Sequence, residues 1–371
     1  MLRAVQQWST QTGPSLSTED EHLLVKQLNH SYVIYGTLLL FPVSLLESQT
    51  WKVVNQQGDN PLQELLTSVA KHLKVTHIAV TKPIPPQLHG DDSEDNVVRS
   101  PSNFMPLYGD FGPETCGFPP TQVDFGKAYW VTAKQNGIFQ TWAPRWTMFS
   151  RGNISEKARI LALPAVASAV AEGVEDGRGC TAMDLYAGIG YFVFSYLKAG
   201  VSKVLCWDLN PWSIEGLRRG AATNKWKTVT HAEHLAVDHM IDHHARLLIF
   251  NESNEHAVDR LALLRRQLPP VRHVNCGLLP TSRGSWTTAF AVLDPTAGGW
   301  VHVHENFELS EIADRAEGVR KEFQRMYDMT DHAEHAEVVL KHVNRVKTYA
   351  PGVFHVVLDI YIPPYATATC R

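Results

Sequence analysis

The stretch Asp184-Leu185-Tyr186-Ala187-Gly188-Ile189-Gly190 decides the fold of this chain. It closes the apolar run TAMDLY and precedes the helix-length segment YFVFSYLKAG, so it lies at a strand-to-helix turn. Glycines at such a turn let the backbone approach a ligand closely, and ligands of open parallel sheets bind at the carboxyl ends of the strands. The spacing differs from the GxGxxG dinucleotide fingerprint, which disfavours a nicotinamide or flavin cofactor. An ordinary strand-to-helix connection is the alternative.

Short apolar runs and helix-length segments alternate after this turn. They read KVLCWD, PWSIEGLRRGAATN, RLLIFN, HAVDRLALLRRQL and VRHVNCGLL. Strand and helix in alternation predict an α/β fold with a mostly parallel sheet covered on both faces. Asp208 ends the strand that follows the glycine turn, where a carboxylate can accept both hydroxyls of a ribose. A glycine turn followed by a strand-end acid is the pattern of an S-adenosylmethionine site.

Two β-rich regions lie outside this alternation. KAYWVTAK and GIFQTW flank Asn136-Gly137, the strongest short-range hairpin signal. EVVLKHVNRVKTY and VFHVVLDIYI flank Ala350-Pro351-Gly352 and predict an antiparallel pair near the end of the chain. We therefore predict three domains: an N-terminal domain over 1–100 whose fold the sequence does not decide, a small β-containing module over 101–164, and a ligand-binding domain over 165–371.

The composition limits the partners. The 371 residues include 34 Lys and Arg against 38 Asp and Glu, a formal net charge of -4. No global basic field attracts nucleic acid, so an RNA partner must be met by local clusters. The five cysteines form no CxxC pair, which indicates reduced intracellular thiols. The apolar run at 32–46 contains Gly36 and Pro42 and is shorter than the ~20 residues of a membrane span. We expect a cytoplasmic protein without a membrane partner.

Five blocks show a family resemblance, within a match that runs in register from about residue 104 to the C-terminus. They are WAPRWTMFSRGNISEKAR, DLYAGIGYF, DLNPWSIEGLRRGAATN, VNCGLLPTSRGSW and GGWVHVHENF. Together they resemble the tRNA wybutosine-synthesising aminocarboxypropyltransferases, relatives of the N1 methyltransferases of guanosine 37, and FSRGN and GLLPTS separate the two. The resemblance implies a class I Rossmann-like methyltransferase fold with a doubly wound, mostly parallel sheet. It also implies transfer of the 3-amino-3-carboxypropyl group of S-adenosylmethionine to C7 of 4-demethylwyosine in phenylalanine tRNA, with release of methylthioadenosine.

The resemblance implies which residues contact the donor, S-adenosylmethionine. Matching motifs are Ser150 and Lys157 in FSRGNISEK, Asp208 at its strand end, and Ser253 and Asn254 in NESN. The family usually has an acid where Ser253 stands, and a serine keeps a hydrogen-bonding group there without the charge. The glycine turn adds four cofactor-binding candidates: Asp184, Tyr186, Gly188 and Gly190.

Aminocarboxypropyl transfer depends on orientation. The sulfonium activates three adjacent carbons, and the carbon held in line with the nucleophile is attacked. A polar cluster suited to gripping the amino acid tail comprises Ser150, Arg151, Asn153, Glu156 and Lys157. Arg151, a candidate catalytic residue, suits a tRNA phosphate equally. The alternative for Ser155-Glu156-Lys157 is an ordinary helix start.

Two further groups are predicted at later strand ends. Glu305 and His304 are candidates for the base that takes the C7 proton. The alternative, which we favour, makes His302 and His304 the outward face of one strand. The GLLPTS block is expected to position the target base through three residues: Leu279, Pro280 and Ser282.

Several interpretations stay open. Methyl transfer to guanosine 37 would use the same cofactor and substrate region, and a non-catalytic tRNA-binding scaffold would keep only a surface. The segment HAEHLAVDHMIDHH at 231–244 lacks cysteines and fixed ligand spacing, so we predict a solvated surface and no metal. Other tRNA-modifying enzymes are candidate partners. Three basic clusters are candidates for RNA contact, although a solvated helix face is the favoured interpretation of any single one: Arg218, Arg219, Lys225 and Lys227; Arg265 and Arg266; Arg320, Lys321 and Arg325.

Overall fold

The computed structural model describes residues 1–11, 18–29, 32–48, 51–52, 54, 59–81, 96, 98–101, 104–231, 244–330 and 336–366. The chain divides into two compact units, one of residues 1–133 and 141–149 and one of residues 134–140 and 150–371. The three-domain division with boundaries at 100 and 164 stays a prediction. Within the described ranges, no helix is both long and apolar enough to cross a membrane.

The first unit contains a four-stranded sheet in the order β1-β2-β3-β4. Its strands β2 and β3 are parallel, and the outer pairs are antiparallel. Trp8, Leu24, Leu66 and Ile78 are buried in its core. The strands are β1 (Val33–Tyr35), β2 (Leu38–Pro42), β3 (His77–Thr81) and β4 (Met105–Tyr108). The helices are Leu2–Gln11, Thr18–Asn29, Ser44–Glu47, Asp59–Leu73 and Gln122–Lys127.

A separate two-stranded sheet is formed by β5 (Val131–Gln135) and β6 (Ile138–Trp142). Asn136 and Gly137 connect the strands with φ of 52° and 72°. Left-handed backbone at both central residues is what a two-residue hairpin of type I′ requires, and Asn-Gly supplies it. The predicted hairpin is confirmed.

The second unit is built on an eight-stranded sheet in the order β13-β14-β12-β11-β7-β8-β10-β9. The run from β12 to β9 is parallel, whereas β14 is antiparallel to both β12 and β13. Both the mostly parallel sheet and the antiparallel C-terminal pair are therefore confirmed. The strands are β7 (Thr181–Asp184), β8 (Lys203–Trp207), β9 (Thr228–His231), β10 (Leu247–Phe250), β11 (Val271–Cys276), β12 (Gly299–Glu308), β13 (Val339–Ala350) and β14 (Val353–Ile362).

Local signals in the sequence start and stop the helices of this unit. Helix Pro211–Thr223 has Pro211 in its first turn, and the Asn210 side chain accepts a hydrogen bond from the Trp212 backbone N–H. Helix Val193–Ala199 ends at Gly200, whose φ of 106° is left-handed. The remaining helices are Ile154–Leu161, Pro164–Glu175, Ala257–Leu264, Trp286–Val292 and Ile312–Asp328.

The two faces of the eight-stranded sheet differ in chemistry. One face carries an apolar core that includes Leu205, Val274 and Val303. The opposite face is apolar under β7, β8 and β10, where Cys206 and Ile249 are buried. Under β11, β12 and β14 that same face is polar, yet it is buried as well. Its buried polar side chains are His273, Asn275, His302, His304, His355 and Asp359.

The prediction that His302 and His304 form an outward face is wrong. Each is 1% exposed, because chain segments between residues 156 and 165 cover this part of the sheet. From that cover, the Arg159 guanidinium donates to Asp359, and the backbone carbonyl of Ala165 contacts the His273 ring. The alternation in HVHEN has the period of a strand, but it does not say whether water or another element covers the polar side.

Candidate functional site

The glycine turn after β7 has little room for larger residues. Gly188 and Gly190 have φ of 54° and 90°, a region that only glycine adopts freely. A Cβ atom at Gly190 would lie 2.8 Å from the Phe194 ring and 2.9 Å from the Leu217 side chain. The loop backbone therefore follows a path that favours glycine at both positions.

Asp208 ties this turn to the end of β8. One carboxylate oxygen accepts from the Gly188 backbone N–H at 2.8 Å, and the other accepts from the Asn210 backbone N–H at 2.9 Å. Burial raises the pKa of Asp208 to about 6. The strand-end acid and the glycine turn are thus one hydrogen-bonded structure.

Asp184 is fully buried at the end of β7 and is only half satisfied. Its Oδ1 accepts from the Tyr186 backbone N–H at 3.1 Å and from Asn275 Nδ2 at 3.3 Å. Its Oδ2 has no hydrogen-bond partner among the described residues. Burial, with a smaller contribution from the charge of Asp208, raises the pKa of Asp184 to about 7. Buried acceptors are rarely left unpaired, so this oxygen marks a place suited to a donor from a bound molecule.

A chain of buried imidazoles orients Asn275. Because its Nδ2 donates to Asp184, its Oδ1 accepts from His304 Nε2 at 3.2 Å. His304 Nδ1 is then an acceptor and lies 2.9 Å from His355 Nε2, which donates. Burial lowers the pKa of His304 to about 3 and also lowers that of His355, so both rings are neutral. We call His355, His304, Asn275 and Asp184 the neutral relay; every hydrogen bond in it donates towards the carboxylate.

A second buried network is charged and complete. Arg159 donates to Glu156 at 2.7 and 2.8 Å and to Asp359 at 2.5 and 3.0 Å. Asn344 adds a hydrogen bond to Glu156, and Asp359 also contacts His302 at 2.7 Å. All four carboxylate oxygens of this charged network have partners. Residues 155–157 do lie in the first turn of helix Ile154–Leu161, as the helix-start interpretation predicts, and Glu156 is in addition fully buried in this network.

Lys157 lies beside the glycine turn. Its ammonium donates to Gln135 at 2.6 Å and to Gln140 at 2.8 Å, and Gln140 Nε2 donates to the Gly190 carbonyl at 3.1 Å. Burial, with the nearby charge of Lys347, lowers the pKa of Lys157 to about 7. The structure thus brings the FSRGNISEK block and the glycine turn together, although 30 residues of sequence separate Lys157 from Ala187.

Ser150 and Arg151 are neighbours in sequence but differ in exposure and contacts. The Ser150 backbone N–H donates to the Tyr191 hydroxyl at 3.3 Å, and its own hydroxyl accepts from Lys347 Nζ at 3.3 Å. Arg151 is exposed in the short turn of 3-10 helix Arg151–Asn153. Ser150 therefore faces the site, and the guanidinium of Arg151 is open to solvent.

Glu305 supports the loop that carries the GLLPTS block. Its Oε1 accepts from the Thr281 hydroxyl at 2.9 Å and from the Ser282 backbone N–H at 2.8 Å. Strand alternation directs Glu305 to the apolar face of the sheet, opposite to His304. Burial raises its pKa. Leu279 and Pro280 precede these contacts and lie at the surface end of the loop.

No family model matches the chain. The tRNA wybutosine-synthesizing protein 2 of Schizosaccharomyces pombe is 39% identical over 331 residues, which cover 89% of this chain and 72% of that protein. The chain belongs to the tRNA wybutosine-synthesizing protein 2 family. The Saccharomyces cerevisiae member is 33% identical over 77% of this chain, and the chain spans 60% of its length. The resemblance drawn from the five sequence blocks is confirmed.

Solved structures show the same fold. P. horikoshii TYW2 in complex with MeSAdo aligns with a TM-score of 0.60 at 17% identity, covering 98% of this chain and all of that one. The complex of aTrm5 and tRNALeu aligns with a TM-score of 0.53 at 16% identity, covering 90% of this chain and 72% of that one. The class I Rossmann-like methyltransferase fold is confirmed.

The NESN motif has a structural function in this family member. The Ser253 hydroxyl accepts from the Glu255 backbone N–H at 3.3 Å and caps the turn that follows. Asn254 Nδ2 donates to the Leu185 carbonyl at 2.9 Å and so holds the glycine turn from the β10 side. The acid of this motif is the buried Glu252, which is paired with Arg260 at 2.7 Å.

Four arginines of the predicted basic clusters have hydrogen-bond or ion-pair partners within the fold. Arg218 and Arg219 both pair with Glu215 at 2.7 Å. Arg265 donates to backbone carbonyls, and Arg320 pairs with a glutamate in the same helix. The described residues contain no group of three or more His, Cys, Asp or Glu side chains arranged for a metal ion. Most of the histidine-rich segment, 232–243, lies outside the described residues.

The sequence reasoning missed Asn275, Gln140 and Lys347. Asn275 ends β11 within the VNCGLLP block, where its position at a strand end was an available signal. Gln140 and Lys347 lie on distant strands, and nothing in their neighbouring sequence connects them to the glycine turn.

Proposed function

We propose that this protein transfers the 3-amino-3-carboxypropyl group of S-adenosylmethionine to C7 of 4-demethylwyosine at position 37 of phenylalanine tRNA. The path from Lys157 through Gln140 to Gly190 carries this proposal, because it joins a cation to the glycine turn by two hydrogen bonds. A cation at that point can hold the carboxylate at the tail of the donor and so decide which carbon is presented.

The residues fit S-adenosylmethionine. The donor is cationic at its sulfonium and amino groups, and the site offers two buried acids, Asp184 and Asp208. The unpaired Oδ2 of Asp184 suits a hydrogen bond from a donor group of the ligand. We propose that Asp208 accepts from ribose hydroxyls. The other proposed contacts are Ser150, Lys157, Tyr186, Gly188, Ser253 and Asn254.

The donor supplies an electrophilic carbon next to a positively charged sulfur. In the proposed reaction, a bond forms between C7 of the base and that carbon, while the carbon–sulfur bond breaks and its electron pair stays on sulfur in methylthioadenosine. The C7 proton is then released from the nucleobase to water. Ser150 and Lys157 hold the tail so that the aminocarboxypropyl carbon, and not the methyl carbon, faces the base.

The remaining predicted residues act on the tRNA in this proposal. The loop with Leu279, Pro280 and Ser282 positions the target base, and Glu305 holds that loop through its bonds to Thr281 and Ser282. With Oε1 already engaged, Glu305 has only its second oxygen to offer as a base. Exposed Arg151 binds a phosphate of the tRNA.

A double-label assay tests the reaction. The protein is incubated with tRNA bearing 4-demethylwyosine and with S-adenosylmethionine labelled either in the carboxyl carbon or in the methyl group. We expect carboxyl label in the tRNA and release of methylthioadenosine. Methyl label in the tRNA would assign methyl transfer instead, and label in neither form, with the donor still bound, would leave a tRNA-binding scaffold.

A further inference from the structure

Lys347 reaches the proposed donor site, beside Ser150, from the C-terminal hairpin. It lies on β13, opposite His355 of β14, and its ammonium donates to the Ser150 hydroxyl at 3.3 Å. The side chain is half-buried, and desolvation lowers its pKa. None of the ion pairs among the described residues includes Lys347. A half-buried ammonium is costly without an anion close by, so its position suits a negatively charged group.

Gly152 is shaped to this lysine. A Cβ atom at Gly152 would lie 2.7 Å from Cδ and 2.9 Å from Nζ of Lys347. The φ of Gly152 is not left-handed, so its backbone conformation does not require glycine. The Lys347 side chain fills the space beside it, so a larger residue at position 152 would require the flexible end of that side chain to move. The glycine of the FSRGN block and the lysine of β13 are therefore one structural unit.

Lys347 and Lys157 both lie near Tyr191. Lys157 Nζ is 5.6 Å from the centre of the Tyr191 ring, and Ser150, which accepts from Lys347, donates its backbone N–H to the Tyr191 hydroxyl. The charge of Lys347 contributes to the lowered pKa of Lys157, so the two ammonium groups lie within electrostatic range of each other. Ser150 accepts from Lys347, and Gln140 links Lys157 to the glycine turn. Two cations and a hydroxyl around one point form a site for a carboxylate, which can accept from several donors at once.

We propose that Lys347 is a second cation for the carboxylate of the donor's aminocarboxypropyl tail, and that Gly152 is small in order to admit it. The proposal rests on the proposed function for the identity of the donor. It extends that function to a residue on β13, nearly 200 positions from the FSRGN block.

The test compares two ligands that differ by the tail and by the positive charge that sulfur carries when the tail is attached. Methylthioadenosine lacks the aminocarboxypropyl group and its carboxylate, so it cannot contact Lys347 in the proposed way. We expect Lys347→Met to weaken S-adenosylmethionine binding about tenfold in titration calorimetry, the loss of one charge-assisted hydrogen bond. Methylthioadenosine should bind the variant as it binds the native protein. Lys341→Met, on an exposed position of the same strand, is the matched control and should change neither affinity.

A second variant tests the role of Gly152. Gly152→Ala should produce the same selective loss of S-adenosylmethionine affinity, because the new methyl group displaces Lys347. In a Lys347→Ala background the Gly152→Ala change should have little further effect, since the clash is gone. Equal losses for both ligands, or no loss for S-adenosylmethionine, would overturn the proposal.

Failure of the proposed function would look different. If the native protein transferred methyl label to tRNA, the reaction would be reassigned. The selectivity of Lys347→Met between the two ligands would still decide whether Lys347 contacts the tail.

Discussion

The charged network and the neutral relay are buried on the same face of the same sheet, and they differ in how completely their carboxylate oxygens are hydrogen-bonded. In the charged network, Arg159 and its neighbours give every oxygen of Glu156 and Asp359 a partner. In the neutral relay, Asp184 keeps one buried oxygen without a partner among the described residues. A complete network stabilises a fold, whereas an incomplete one is open to a ligand. The difference separates residues that hold the molecule together from the residues proposed to bind its donor.

Removing Asp359 should have the largest effect on folding. Asp359→Ala leaves the buried Arg159 and His302 without a shared anion, and we expect a loss of about 3–5 kcal/mol in the free energy of unfolding. Urea denaturation followed by circular dichroism measures it. Asp176→Ala, which breaks an exposed ion pair with Arg178, should leave the midpoint unchanged. A tolerated Asp359→Ala would show that the charged network does not stabilise the fold.

Asp184→Asn should mainly affect donor binding. Losing the charge should weaken S-adenosylmethionine binding by about 100-fold, near the upper range for a hydrogen bond to a charged group.

Burial raises the pKa of Asp184 from 3.8 to about 7 in the folded protein, so native stability falls as pH rises through this interval. The variant has no such titration. Its stability relative to the native protein should therefore be higher at pH 8 than at pH 5, and the reverse order would contradict the assignment.

His304→Leu should affect both folding and donor binding. It removes the donor to Asn275 and leaves His355 without its acceptor, at a cost of about 1–3 kcal/mol in unfolding free energy. Because Asn275 then loses its orientation towards Asp184, S-adenosylmethionine affinity should also fall. His304→Gln, which keeps a donor, should recover part of the affinity. Loss of stability with unchanged affinity would restrict the relay to a structural role.

The pH dependence of donor binding should show the smallest change. Asp208 and Asp184, with pKa values of about 6 and about 7, must be ionised to attract the cationic donor, so affinity should rise with pH through this range. Lys157, with a pKa of about 7, should lose its charge at higher pH and lower the affinity again, by at most about tenfold per pH unit. Methylthioadenosine should lack this second, falling limb. Identical profiles for the two ligands would contradict the assignment of Lys157 to the tail.

The strand-to-helix alternation, the two hairpins and the glycine turn could all be predicted because their signals are local. Asn136-Gly137 and Gly190 each determine a backbone conformation within a few residues. The histidines of β12 show the limit of this reasoning. Their alternation predicts a strand, but their burial depends on residues 156–165, which cover them from another part of the chain.

The family, the α/β architecture and the turn of Asp184 to Gly190 can be predicted from sequence, since they depend on short-range patterns and on motifs in register. Which polar groups lack a hydrogen-bond partner depends on the tertiary structure. It joins Lys157 to the glycine turn through Gln140, aims Asn275 at Asp184, and brings Lys347 against Gly152. Each of these contacts joins side chains on separate strands or helices. Hydrogen-bond satisfaction and burial are properties of such contacts, and they arise only when the chain has folded.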